Sequence, residues 1–144
     1  MKDLRRNGKI TQEDPLTSKV IGLAINIHKE LGPGFSEAIY HRAMELDLAD
    51  AGLSFVSQAP FTVTYKERVL GNFAADLVVE DKLLLELKAL TNLPVVAEIQ
   101  VVQYLKASGL DLGLILNFGE MPLQIKRKFR ERRHDDDAIL LQGF

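Results

Sequence analysis

Two stretches of this chain are too apolar to be strands with one face in water. Leu83–Leu90 reads LLLELKAL and residues 110–118 read LDLGLILNF. A half-exposed strand alternates apolar and polar side chains, whereas a near-continuous apolar run of this length belongs in the middle of a sheet covered on both faces. The rest of the chain must therefore supply two covering layers, and helices are the usual cover. Helical spacing is present where it is needed. Leu16, Val20, Leu23, Ala24, Ile27 and Leu31 recur at helical intervals, with Asp14-Pro15 or Thr17 as the start signal and Gly32-Pro33-Gly34 as the stop. A second helix is expected from Ser36, as N-cap, to Gly52, with Ile39, Ala43 and Leu46 on its apolar stripe. A third runs from Leu93-Pro94 to about Ser108 and stops at Gly109.

Between the second and third helices the period changes to two. Phe61, Val63 and Tyr65 alternate with Thr62, Thr64 and Lys66, which reads as a strand with one buried face. Lys66-Glu67-Arg68 is a polar turn, and Val69–Val79 and Leu83–Leu90 follow as strands joined across Glu80-Asp81-Lys82, giving an antiparallel meander. A last strand spans about Leu123–Phe129. The order is helix, helix, three strands, helix, two strands: an α/β domain in which the late helix makes a crossover between strands. The expected domain covers residues 15–130, with a polar, flexible arm over 1–14 and a charged, then apolar, tail over 131–144.

Composition narrows the function classes. The chain has 144 residues, enough for one domain with its own core, and no Cys, so thiolate metal sites, disulfides and cysteine nucleophiles are excluded. No apolar run reaches signal-peptide or membrane-span length, which points to a soluble, cytoplasmic protein with no membrane partner. A net charge of −2 argues against a bulk-electrostatic nucleic-acid binder. The one concentration of positive charge is Lys126, Arg127, Lys128, Arg130, Arg132 and Arg133, followed at once by Asp135-Asp136-Asp137. Its default reading is a guarded edge strand, with a phosphate grip as the sharper alternative.

The polar residues of the meander sit where a plain core would not have them. If the hairpin turns about Asp81, Asp76 lies directly opposite Glu86, with Cβ atoms about 4.5–5.5 Å apart, and like charges so placed are destabilising. Something positive belongs between them: Lys88, or a hard divalent cation such as Mg²⁺ coordinated by carboxylate and carbonyl oxygens and water. A structural ion-pair network accounts equally well for these three residues taken alone. Glu37, Tyr40 and His41 form a second polar cluster on the second helix, and Gln100 and Tyr104, four apart, share one face of the third. His28, beside the stripe of the first helix, suits a capping or site-edge hydrogen bond.

Taken together, Gly34-Phe35-Ser36-Glu37-Ala38-Ile39-Tyr40, IHKELGPG, AADLVVE, LELKAL, Glu98–Lys106 and LGLILNFG resemble the GxxExxY protein family of the PD-(D/E)XK nuclease superfamily, over about Leu16 to Phe129. The resemblance implies a restriction-endonuclease-like core, a mixed sheet made of the antiparallel meander, a crossover helix and two further strands, flanked by helices. It implies Asp76 and Glu86 as metal ligands for Mg²⁺ or Mn²⁺, Lys88 as catalytic lysine, and Glu37 as a catalytic glutamate near the metal or its waters. Gln100, Tyr104 and Tyr40 become substrate-binding residues on the nucleic-acid side. Ala75 stands where the superfamily name has Pro, a position that varies among members. The implied function is metal-dependent phosphodiester hydrolysis of nucleic acid, DNA ahead of RNA; a single small domain often acts on a duplex as a homodimer. The alternative is a catalytically silent module that binds nucleic acid or a protein partner.

Overall fold

In the computed structural model the described residues are 14–130, together with the backbone of two short antiparallel strands, β1 (Arg5–Arg6) and β2 (Lys9–Ile10). Most of the expected arm and the whole tail, including Arg132, Arg133 and the Asp run, lie outside the described residues. Helices α1 (Pro15–Leu31) and α2 (Glu37–Asp50) precede strands β3 (Phe55–Tyr65), β4 (Arg68–Val79) and β5 (Leu83–Lys88); α3 (Val95–Ser108), β6 (Leu112–Asn117) and β7 (Gln124–Phe129) follow. The five long strands form one sheet in sequence order, antiparallel except for β5 and β6, which run parallel and are joined by α3 as the crossover. Among the described residues no helix is long and apolar enough to cross a membrane.

The helix ends follow their local chemistry. The Asp14 carboxylate accepts the Thr17 N–H at 2.8 Å, with Pro15 in the first turn. Gly32 and Gly109 end α1 and α3 with φ of +70° and +79°, values that glycine adopts without strain. Ser36 occupies the N-cap of α2 with extended backbone, but its side chain makes no capping bond.

Two apolar layers hold the sheet. On one face Val20, Ala24 and Ile27 of α1 and Tyr40, Met44 and Leu48 of α2 pack on Leu77, Leu83, Leu85, Leu87, Leu114 and Leu116. On the other, Val101 and Leu105 of α3 pack on Ala59, Ala75, Val78, Leu84 and Ile115. β5 and β6 are thus buried on both sides, as their composition requires.

Two expectations are corrected. The buried stripe of α2 is Tyr40, Met44 and Leu48, while Ile39 and Leu46 are 46% and 53% exposed. Both sets have helical spacing, and the helix is rotated so that the larger Tyr40 and Met44 side chains face the core. The alternation at Phe61, Val63 and Tyr65 marks a buried face only at Phe61, which packs with α3; Val63 and Tyr65, nearer the β3–β4 turn, are 39% and 60% exposed.

β3 and β4 also change faces midway. Phe55 and Leu77 pack with α1 and α2, whereas Ala59, Phe61 and Ala75 pack with α3. In a regular strand Phe55, Ala59 and Phe61 would share a face. The reversal falls at Gln58 and Asp76, which lie opposite each other between the pairs Ser57–Leu77 and Ala59–Ala75, and Gln58 has φ of +52°.

The exit of β5 is tied to that of β6. Asn117, fully buried, accepts the Leu90 and Gly119 N–H groups at 2.9 and 3.1 Å and donates to the Leu90 carbonyl at 2.9 Å, and the Phe118 N–H donates to the Lys88 carbonyl at 2.7 Å. A Cβ at Gly119 would stand 2.4 Å from the Leu90 nitrogen. Gly119→Ala is therefore expected to cost about 3 kcal/mol, measured as a lower urea midpoint with unchanged slope.

Candidate active site

The site begins where the β4–β5 ladder stops. Leu77, Val78 and Val79 pair with Leu85, Leu84 and Leu83, and the same register carried one step further sets Asp76 against Glu86. There the two carboxylates replace the backbone bonds. The Asp76 N–H donates to Glu86 Oε2 at 2.9 Å, and the Leu87 N–H donates to Asp76 Oδ2 at 2.8 Å. Each acid reaches across to the opposite strand, so the pair is held at fixed separation by the main chain, and each keeps a second oxygen for another partner.

Glu86 is 5% exposed, and its carboxyl is pushed up to about 7. Burial is the largest cause and the Asp76 charge the next; the Asp76 N–H and the Lys88 ammonium act in the opposite sense, and Glu37 adds to the rise. The charges of Glu37 and Lys88 therefore reach Glu86. The Tyr104 phenol is raised by burial first and then by the charges of Glu86 and Asp76, and its ring stacks on Phe73 at 4.0 Å. Among the described residues the Lys88 ammonium has no carboxylate within ion-pair distance, which leaves it available to an external anion.

Two facing carboxylates in a half-desolvated gap are relieved by a cation, and their donor set is all hard oxygen, which suits Mg²⁺ or Mn²⁺. Among the described residues no group of three Asp, Glu or His side chains is arranged to hold a metal ion. Two carboxylates suffice for Mg²⁺, which ordinarily keeps several waters. The residues fit such an ion.

A cleft of about 340 Å³ opens beside the pair, lined by Glu37, His41, Arg42, Glu45, Gln58, Asp76 and Leu87. Along its wall the Ser57 hydroxyl donates to Glu45, Arg42 lies 3.2 Å from Glu45, and His41 lies 3.4 Å from it. The Ser57 bond is the chief reason the Glu45 carboxyl lies below its ordinary range.

Asp76 and Glu86 are joined across the strands, Glu37 lines the same cleft as Asp76, Lys88 follows Glu86 on the same face of β5, and Gln100 is exposed one turn before Tyr104 on α3. Tyr40 does not join them. It is fully buried, stacked on Phe118 at 4.4 Å, and its hydroxyl donates to the Gly32 carbonyl and accepts the Phe35 N–H at 3.2 Å. It closes the Gly32–Gly34 turn and is no substrate contact. His28 plays the bonding role expected of it, with Nε2 2.8 Å from the Glu120 carbonyl. The described part of the basic run is partly neutralised: Lys128 pairs with Glu98 at 2.6 Å and Arg130 with Asp111 at 2.9 Å.

Residues 14–128 match the model of the PD-(D/E)XK nuclease superfamily. The chain belongs to the PD-(D/E)XK nuclease superfamily. Among solved structures, the crystal structure of SSO0001 is similar in fold, with a TM-score of 0.53 and 16% identity over 74% of this chain; the chain spans 58% of that structure's length. No curated protein matches it.

Two predictions test the site's electrostatics and architecture. Glu86 titrates near 4.5 when unfolded and near 7 when folded, so the native state binds more protons between those values. Its contribution to stability is fully present below the lower value and is lost as pH rises through the upper one, by roughly 3 kcal/mol. In metal-free protein the Tm is expected to fall from pH 5 to pH 8, and Glu86→Gln to flatten that fall; an unchanged slope in the variant contradicts the assignment. Tyr40→Phe is expected to lower stability by about 1–2 kcal/mol through its lost turn bonds, read by chemical denaturation, with no change in binding of an oligonucleotide.

Proposed function

We propose that the protein is a metal-dependent nuclease that hydrolyses phosphodiester bonds in the cytoplasm, DNA more readily than RNA, with Mg²⁺ or Mn²⁺ held by Asp76 and Glu86. The crossed carboxylate pair at the end of the β4–β5 ladder, with Lys88 next on the same face of β5, carries this reading. The superfamily membership and the hard oxygen donors support it. A hard divalent cation bound there supplies Lewis acidity to the scissile phosphate and lowers the pKa of the attacking water.

The remaining work falls to the chain's own groups. Lys88 holds the attacking water in line with phosphorus and offsets the charge that builds on the phosphate oxygens. Glu37, at the first turn of α2, accepts a hydrogen bond from a water on the far side of the pair. Tyr104 and Gln100 flank the path of the nucleic-acid strand along α3. Water adds to phosphorus and gives its proton to solvent, the bond to the sugar oxygen breaks, and that oxygen takes a proton from solvent to leave as the hydroxyl. On a duplex, a homodimer presents two such sites to the two strands.

The test is cleavage of single- and double-stranded DNA and RNA with Mg²⁺ or Mn²⁺. Asp76→Ala and Lys88→Ala are each expected to lower the rate at least a hundredfold, an estimate in line with losing an electrostatic or acid–base contribution. Activity that survives both substitutions rules the site out. A parent protein that binds oligonucleotides in all conditions and cuts none is a binding module instead.

A further inference from the structure

Positive φ at a non-glycine residue has an evident cause at four described positions: Lys66, Glu67, Glu80 and Asp81 form the two tight turns of the meander. Gln58 is different. It lies inside β3, where φ of +52° breaks the pairing with β4 and reverses the faces of both strands. Glycine would allow the same reversal without a side chain to accommodate, so the backbone alone does not call for glutamine. Strain of this kind gathers at functional sites.

The side chain has no structural task of its own. Among the described residues the Gln58 carboxamide makes no hydrogen bond, and the residue is exposed. It lines the cleft that Asp76 and Glu37 also line, directly across the strand pair from Asp76. A ligand filling the cleft touches the Asp76 and Gln58 side chains together. Three carboxylates, Glu37, Glu45 and Asp76, border that space, and Arg42, its strong donor, is engaged with Glu45. An anionic strand entering there needs hydrogen-bond donors, and a carboxamide offers two N–H groups.

We propose that Gln58 is a substrate-contacting residue whose carboxamide donates to the phosphodiester next to the one that is cut, and that the left-handed backbone at this position aims it there. This rests on the nuclease reading above. Asp76 and Glu86 engage the scissile group, and Gln58 fixes the register of the strand beside it.

The experiment compares the full-length parent with Gln58→Gly and Gln58→Asn in three measurements: thermal unfolding, calorimetric titration with Mn²⁺ alone, and anisotropy of labelled single-stranded DNA and RNA oligonucleotides in Ca²⁺. Gln58→Gly keeps the backbone reversal and removes the amide. Its Tm is expected to equal or exceed the parent's, its Mn²⁺ affinity to stay within about twofold, and its oligonucleotide affinity to fall about tenfold, the loss of one hydrogen bond to a charged group. Gln58→Asn, which tolerates positive φ and keeps an amide, recovers part of the loss. Oligonucleotide affinity equal to the parent's in Gln58→Gly overturns the proposal and leaves the nuclease reading standing. A parallel fall in Mn²⁺ affinity overturns it too, because Gln58 then acts only through Asp76. A parent that neither binds nor cuts any oligonucleotide overturns the nuclease reading itself, and this proposal with it.

Discussion

The structure depends on β5 being buried on both faces. A strand in that position pairs along its whole length with β6, pairs with β4 over Leu83–Leu85, and takes apolar side chains from helices above and below. Of its two polar residues, Lys88 lies at the partly exposed end, but Glu86 cannot be left to solvent. The burial that makes Glu86 costly to ionise goes with its place against Asp76, where β4 supplies the N–H that holds Glu86 and β5 the N–H that holds Asp76. The site is a local failure of the ladder, placed where the sheet is most rigid.

Rigid surroundings maintain that failure. The Leu77–Leu85, Val78–Leu84 and Val79–Leu83 pairs clamp one side of the opening, and the parallel ladder to β6 runs uninterrupted past it to Lys88 and Asn117. Asn117 then binds the chain leaving β5 through Leu90, so Lys88 sits between two fixed points. Across the sheet the reversal at Gln58 lets Ala75 pack under α3 while Leu77 packs under α2, with Asp76 at the crossing point between the two layers. Packing on both sides thus sets the carboxylate geometry with no contribution from a loop.

Much of this is legible in the chain itself. The turn at Glu80-Asp81-Lys82 sets the register that opposes Asp76 and Glu86, because a tight hairpin leaves no freedom once its centre is known. Gly32 and Gly109 stop their helices where expected, and the apolar runs at 83–90 and 110–118 announce the centre of the sheet. The α2 stripe was ambiguous for a definite reason: Ile39, Ala43, Leu46 and Tyr40, Met44, Leu48 both follow helical spacing about 100° apart, and only contact with the sheet selects between them. Asn117 carries a faint signal as a polar residue inside an apolar run. Gln58 carries none, since a glutamine in a strand reads as an exposed position until its φ and its partner are seen.

The sequence by itself determined an α/β chain with a two-sided sheet, three helices and an acid–acid–lysine set on adjacent strands, because periodicity and turn chemistry are local properties. Only the tertiary structure decided which face of α2 enters the core, that Tyr40 closes a turn, and that Asp76 sits at a reversal opposite a strained Gln58. Those features arise from contacts between segments far apart in the chain, where packing of two layers against one sheet, and not the preference of any single stretch, sets the lower free energy.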